Sequence, residues 1–122
     1  MYTKNLSYDE GVSSAKKYLN LPELPDGIFC ANDYSAVSVI QVFRKANIKI
    51  PEQVAIVGFS NYPISRIIEP NLTTINDRAF QMGESSTKLL IRKIEDENDI
   101  IDSEIITLKT ELIIRESSKL NA

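Results

Sequence analysis

The chain has 122 residues, 43% hydrophobic and 25% charged, with a formal net charge of −3, one cysteine and no histidine. That length holds one hydrophobic core but is short for a complete two-lobed small-molecule receptor, so one domain or less is expected. Lys and Arg scattered among a slight excess of acids form no basic footprint for nucleic acid, and the missing histidine removes the commonest general base, the commonest metal ligand and the Ser-His and Cys-His nucleophile pairs.

In chain order, the first periodic segment predicts a helix from Ser7 to Asn20, with Tyr8, Val12, Ala15 and Leu19 on one face. Ser7 and Glu10 fit a capping box at its start. Leu21 to Gly27, with Pro22, Pro25 and Asp26-Gly27, reads as a loop that feeds a short strand, Ile28 to Ala31. Asn32 and Asp33 follow where a strand hands over to a helix, Tyr34 to Ala46, with Val37, Ile40 and Phe43 on its buried face. Either can cap that helix, and Asp33 is the expected cap. Val54 to Phe59 is an almost unbroken apolar run, as expected for a parallel strand covered on both faces.

Ser60 to Asn71 is irregular, bounded by Pro63 and Pro70, and Leu72 to Ile75 reads as a third strand. A long helix is expected from Arg78 to Asp96, with Met82, Leu89, Leu90 and Ile94 on its apolar side. Glu104 to Leu108 and Glu111 to Arg115 are β-branched and predict two further strands, and Ser117 to Ala122 a frayed tail. This order is that of an α/β fold with a mainly parallel, Rossmann-like sheet and flanking helices. Cys30 cannot close an internal disulfide and the N-terminus lacks a signal-peptide pattern, while no apolar run approaches the roughly 20 residues that cross a bilayer. A cytoplasmic protein without membrane contact is expected, with no catalytic residue, metal or cofactor.

Among candidate site residues, Asn32 lies at the carboxyl end of a strand, where open parallel sheets bind ligands, and its amide offers donors and an acceptor to a hydroxyl. The plainer reading is a helix cap. Ser60 and Asn61 occupy the equivalent end of Val54 to Phe59, or are simply a loop Ser-Asn. Gly58 offers room for backbone to approach a ligand. Glu95, Asp96, Glu97 and Asp99 read as a solvated helix end, Cys30 as an inert core thiol, and Tyr2, Tyr8 and Tyr18 as packing.

Three stretches resemble the LacI/GalR family of bacterial repressors: Pro25-Asp26-Gly27-Ile28-Phe29-Cys30-Ala31-Asn32-Asp33, then Val54-Ala55-Ile56-Val57-Gly58-Phe59, then Pro70-Asn71-Leu72-Thr73-Thr74-Ile75 followed by Met82-Gly83. Thr110-Glu111-Leu112-Ile113-Ile114-Arg115-Glu116-Ser117-Ser118 is similar to that family's final strand. The resemblance implies a partial C-terminal lobe, residues 1–122, of a type I periplasmic-binding-protein-like sensor that clamps a small sugar-like effector between two lobes. It implies too that DNA is contacted only through an absent helix-turn-helix headpiece, and that helix 78–96 crosses to the absent lobe. Loss of a central strand would leave an open edge beside Ile28 to Ala31, and the crossover helix would lack its apolar partner, so the folded chain is expected either within a larger assembly or self-associated.

By the same resemblance Asn32 contacts the effector, with Ser60 and Asn61 beside it, although Ser60 stands where the better-known pattern has an aspartate. A serine makes weaker contacts with sugar hydroxyls than a carboxylate. Tyr34 to Phe43 and Ile64 to Ile68 resemble homodimer surfaces, which nominates Val37, Ile40, Gln41, Ile67 and Ile68; the alternative is simple packing against the same lobe. Three rivals stand beside this reading: a solute-binding receptor of the periplasmic sugar-binding type, a small α/β enzyme for which no catalytic motif is present, and a dimerisation fragment with no ligand affinity of its own.

Overall fold

A computed structural model describes residues 5–95 and 104–120. Helix α1, Tyr8–Leu19, is capped by Ser7, whose Oγ accepts from the Glu10 N–H at 3.3 Å. The return half of the expected capping box is made instead by Asn5, whose Oδ1 accepts from the Ser7 N–H at 2.9 Å. The buried face of α1 is built on Gly11, Ser14 and Ala15 rather than on the larger side chains. The reason is proximity to helix α2, Asp33–Lys45: a Cβ at Gly11 would stand 3.1 Å from the backbone of Ser35, so small residues are required where the helices meet.

The sheet has the order β1-β2-β3-β4. Strand β1, Gly27–Phe29, and strand β2, Ala55–Phe59, are parallel with Ile28 opposite Ile56. Strand β3, Thr73–Asn76, is parallel to β2 with Gly58 opposite Thr74, and β4, Glu111–Ile113, is antiparallel to β3. The face toward α2 is closed: Ile28, Cys30, Ile56 and Leu72 meet Ala36, Val39, Ile40 and Phe43 in one core. The other face is less so, because Ala55, Val57 and Phe59 are only half-buried, and β2 is therefore not covered equally on both sides as its apolar run predicts. β1 forms an edge, with Phe29 62% exposed.

Two further expectations change. Glu104 to Leu108 joins no ladder, because β4 already occupies the free side of β3. Its Ile106 and Leu108 instead line a cleft of about 500 Å³ against Met82 and Leu89 of helix α3, Ala79–Glu95. The expected frayed tail, Ser117 to Ala122, is fastened at its start. Ser117 is fully buried between the starts of β2 and β3, where the Ile56 N–H donates to its carbonyl (2.8 Å), the Thr73 N–H donates to its Oγ (2.9 Å), its Oγ–H donates to the Ile56 carbonyl (2.6 Å) and its N–H donates to the Asn71 carbonyl (2.9 Å). A polar residue survives burial when each of its groups is paired in this way.

No residue of α3 is buried, and Phe80, Leu90 and Ile94 on it are exposed. Asp96, Glu97 and Asp99, like Tyr2, lie outside the described residues. Among the described residues no helix is long and apolar enough to cross a membrane.

Candidate functional site

Strands β1, β2 and β3 run parallel, so their carboxyl ends share one rim. Asn32 leaves β1 there, Ser60 and Asn61 leave β2, and Asp77 and Arg78 leave β3. The three residues nominated for ligand contact thus come to one rim, on neighbouring strands.

Asn32, not Asp33, caps α2: its Oδ1 accepts from the Ser35 N–H at 2.8 Å, and its Nδ2 donates to the Leu6 carbonyl at 2.8 Å. Asp33 instead lies at the first helical position, fully buried. Its Oδ1 accepts from Thr74 Oγ1 at 2.6 Å and its Oδ2 from the Tyr62 N–H at 2.7 Å. The positive end of the α2 dipole favours a carboxylate here, yet burial dominates and raises the Asp33 carboxyl above the ordinary carboxylate range, opposed by the bonds from Thr74 and Tyr62 and by the charge of Arg115.

Gly58 is explained by this carboxylate. A Cβ at Gly58 would come within 2.3 Å of Asp33 Oδ1, so the missing side chain admits an internal acid on the α2 face rather than a ligand. Burial, with the Asp33 charge adding to it, pushes the Cys30 thiol up to about 12, which keeps it protonated and unreactive near neutral pH.

The turn after β2 has left-handed backbone, with φ of 100° at Ser60 and 48° at Asn61. The Ser60 N–H donates to the Ile75 carbonyl at 2.8 Å and the Asn61 N–H to Thr74 Oγ1 at 3.2 Å. Asn61 Oδ1 accepts from Nη2 of Arg115 at 2.9 Å, while Nη1 of the same guanidinium donates to the Leu72 carbonyl (2.7 Å) and to Ser65 Oγ (3.0 Å). Tyr34 and Tyr62 meet at the rim, ring centroids 5.3 Å apart.

The Asp33–Thr74–Asn61–Arg115 network was not found by sequence reasoning. Its only local signals are hydroxyls at Thr73 and Thr74 within a strand and an arginine directly after the apolar run Leu112–Ile114. Among the described residues no group of three or more metal-ligating side chains converges.

Of the residues nominated for pairing between copies, Ile40 is wholly buried and Val37 5% exposed. Both are buried within the chain itself, since α2 packs against α1, against β2 and against the segment after β2, and neither offers a free surface to another copy. Gln41 is half-buried and accepts a hydrogen bond from the Tyr8 hydroxyl. Ile68 packs against the core from a partly buried position, whereas Ile67 is 74% exposed on the loop after the short 3₁₀ helix Pro63–Arg66.

The profile of the periplasmic binding protein-like domain matches residues 2–118. The HTH-type transcriptional repressor PurR of Histophilus somni (strain 2336) is 32% identical over 111 residues, 91% of this chain and 33% of that protein. Among solved structures, the transcriptional regulator CelR in complex with cellobiose superposes with a TM-score of 0.85 at 30% identity, over 93% of this chain and 34% of that one. A LacI family transcriptional regulator from Lactobacillus casei with bound sucrose gives 0.78 at 26% identity, over 92% and 41%. The chain thus spans about a third of the length of the curated relatives it matches.

Because the folded-state pKa of Asp33 is raised, its protonated form is favoured by folding, and the associated stability is present below the ordinary carboxylate pKa and lost as pH rises through the raised value. Thermal melts of the wild type and Asp33→Asn across the acid range test this: the melting-temperature difference, wild type minus variant, should fall with rising pH and then level off. A difference that grows with pH would contradict the assignment.

Proposed function

Since this chain belongs to the periplasmic binding protein-like domain family and is a LacI/GalR-type effector domain, we propose that it supplies one wall of a cleft for a small carbohydrate effector and a contact through which two copies pair. The observation that carries the reading is the convergence of Asn32, Ser60 and Asn61 at the carboxyl rim of adjacent parallel strands, the end at which open α/β sheets hold ligands. It is supported by relatives that are transcriptional regulators and by similar structures solved with cellobiose and sucrose. The rim offers neutral amide and hydroxyl groups suited to hydroxyl-rich ligands.

In the longer regulator, effector binding between two lobes alters their closure, and the dimer passes that change to a helix-turn-helix headpiece on DNA. Such coupling requires the effector to bind the open and closed states unequally. The 122 residues contribute binding and pairing to this cycle, and catalysis has no part in it.

A second reading, that this chain pairs without holding ligand by itself, is favoured by the in-chain bonds already made by the Asn32 and Asn61 amides. A single wall also buries less of a small ligand than a closed cleft does. Titrating the ¹⁵N-labelled chain with cellobiose, and separately with sucrose, at millimolar concentrations separates the two readings. Amide shifts concentrated at Asn32 and at Ser60 to Tyr62 support the carbohydrate wall, an unchanged spectrum supports the pairing-only reading, and shifts confined to other surfaces refute the proposed cleft.

For pairing, Ile67 is the residue to change, because its side chain is exposed and its loss leaves the core intact. Size-exclusion chromatography with light scattering should find a dimer for the wild type and a monomer for Ile67→Glu. A monomeric wild type, or a dimer indifferent to the substitution, would remove the Ile64–Ile68 loop from the interface.

A further inference from the structure

The Ser60–Asn61 turn holds two consecutive non-glycine residues in left-handed backbone, Ser60 at φ 100° and Asn61 at φ 48°. Side chains disfavour this region, and such a turn persists only when its surroundings over-determine it. Bonds reach it from three sides: from Thr74 to the Asn61 N–H, from Asp33 to the Tyr62 N–H, and from Ser65, whose hydroxyl donates to the Tyr62 carbonyl at 2.7 Å. The fourth contact, from Arg115 to Asn61 Oδ1, also continues into the Pro63–Arg66 helix, as the Ser65 bond does, but through a side chain 54 positions away in the sequence.

The other arm of the Arg115 guanidinium donates to the buried Ser65 Oγ and to the Leu72 carbonyl. A guanidinium is a planar fork whose donors have fixed relative geometry, so one arm cannot move without displacing the other. Ser65 lies within the 3₁₀ helix Pro63–Arg66, and the carbonyl of Ile64 in that helix accepts the N–H groups of Ile67 (3.1 Å) and Ile68 (3.0 Å). The backbone of Arg115 is itself anchored, its N–H donating to Thr73 Oγ1 at 2.7 Å. Burial disfavours the charge on Arg115, the charge of Arg66 disfavours it further, and that of Asp33 supports it.

We infer that Arg115 is a positioning residue that joins the Ser60–Asn61 turn to the Pro63–Ile68 loop as one mechanical unit, so that a contact made at the turn is felt at the exposed Ile67. What the two ends do, holding effector and partner, rests on the proposed function. The joint between them rests on the hydrogen bonds alone, and it makes the segment that follows β4 part of the site.

Amide hydrogen exchange on the ligand-free chain tests the joint, comparing Asn61→Ala in the wild-type background and in Arg115→Lys, which keeps the charge but not the fork. With Arg115 present, Asn61→Ala should speed exchange at Ile67 and Ile68 roughly five-fold, the effect of losing about one hydrogen bond. Exchange at Ile56 in the core should stay unchanged. In Arg115→Lys the same two amides should already exchange faster, and Asn61→Ala should add nothing. If Arg115→Lys does not fold, Arg115→Gln, whose single amide cannot span Asn61 and Ser65 together, takes its place.

Equal effects of Asn61→Ala in both backgrounds, no effect at Ile67 and Ile68 with Arg115 intact, or a parallel rise at Ile56 would each overturn the inference. None of these outcomes depends on saccharide binding, so the failure of this inference and of the proposed function remain distinguishable.

Discussion

A carboxylate buried at the first turn of α2 is the constraint around which this chain is arranged. Removing such a group from water costs several kcal/mol, and hydrogen bonds to a charged group return about 1.5–3 kcal/mol each. Two such bonds reach Asp33, one from a hydroxyl in β3 and one from the backbone beyond β2. Gain and cost are comparable, which accounts for a carboxyl that is paired and yet raised in pKa. The requirement propagates outward: position 58 must lack a side chain, position 74 must carry a hydroxyl, and the chain leaving β2 must turn so that the Tyr62 N–H faces inward. The left-handed backbone at Ser60 and Asn61 accompanies that turn.

The same arrangement explains why the end of the chain belongs to the interior. Where β2 and β3 begin, Ser117 joins them through four hydrogen bonds, and two residues earlier Arg115 reaches the rim. Residues far apart in sequence therefore fix the local shape of the rim more than its own loop residues do. Through Arg115 the hydrogen bonds link the rim to the segment that follows β4 and to the 3₁₀ helix that precedes Ile67.

Much of the fold was legible in the sequence because it is periodic. The helices α1, α2 and α3 and the strands β1, β2 and β3 fall within a residue or two of where apolar spacing, Ser7 and the proline-bounded loops place them. What failed shares a physical cause. Glu104 to Leu108 has strand composition but no edge to pair with, and composition does not report the availability of an edge. Ser117 looks like part of a polar tail because its partners lie 44 and 61 positions away.

The site was legible in part. The position of Asn32, Ser60 and Asn61 at strand ends follows from the alternation of strands and helices. The choice between Asn32 and Asp33 as cap did not, since both are good capping residues and the decision was made by Thr74 and Tyr62, which lie far along the chain. Gly58 could be recognised as a close approach, but its neighbour turned out to be an internal carboxylate. Ile40 carries the helical periodicity of a buried face, which cannot say whether the face is buried by the same chain or by another copy.

The most direct test of this account is native-state hydrogen exchange at the Tyr62 amide, compared with the core amide of Ile56. Tyr62 lies in an exposed loop, yet its N–H donates to the buried Asp33 carboxylate, so the account predicts exchange nearly as slow as that of Ile56. Exchange at the rate of an unprotected loop would mean that Asp33 does not organise the rim, and the arrangement built on it would not hold.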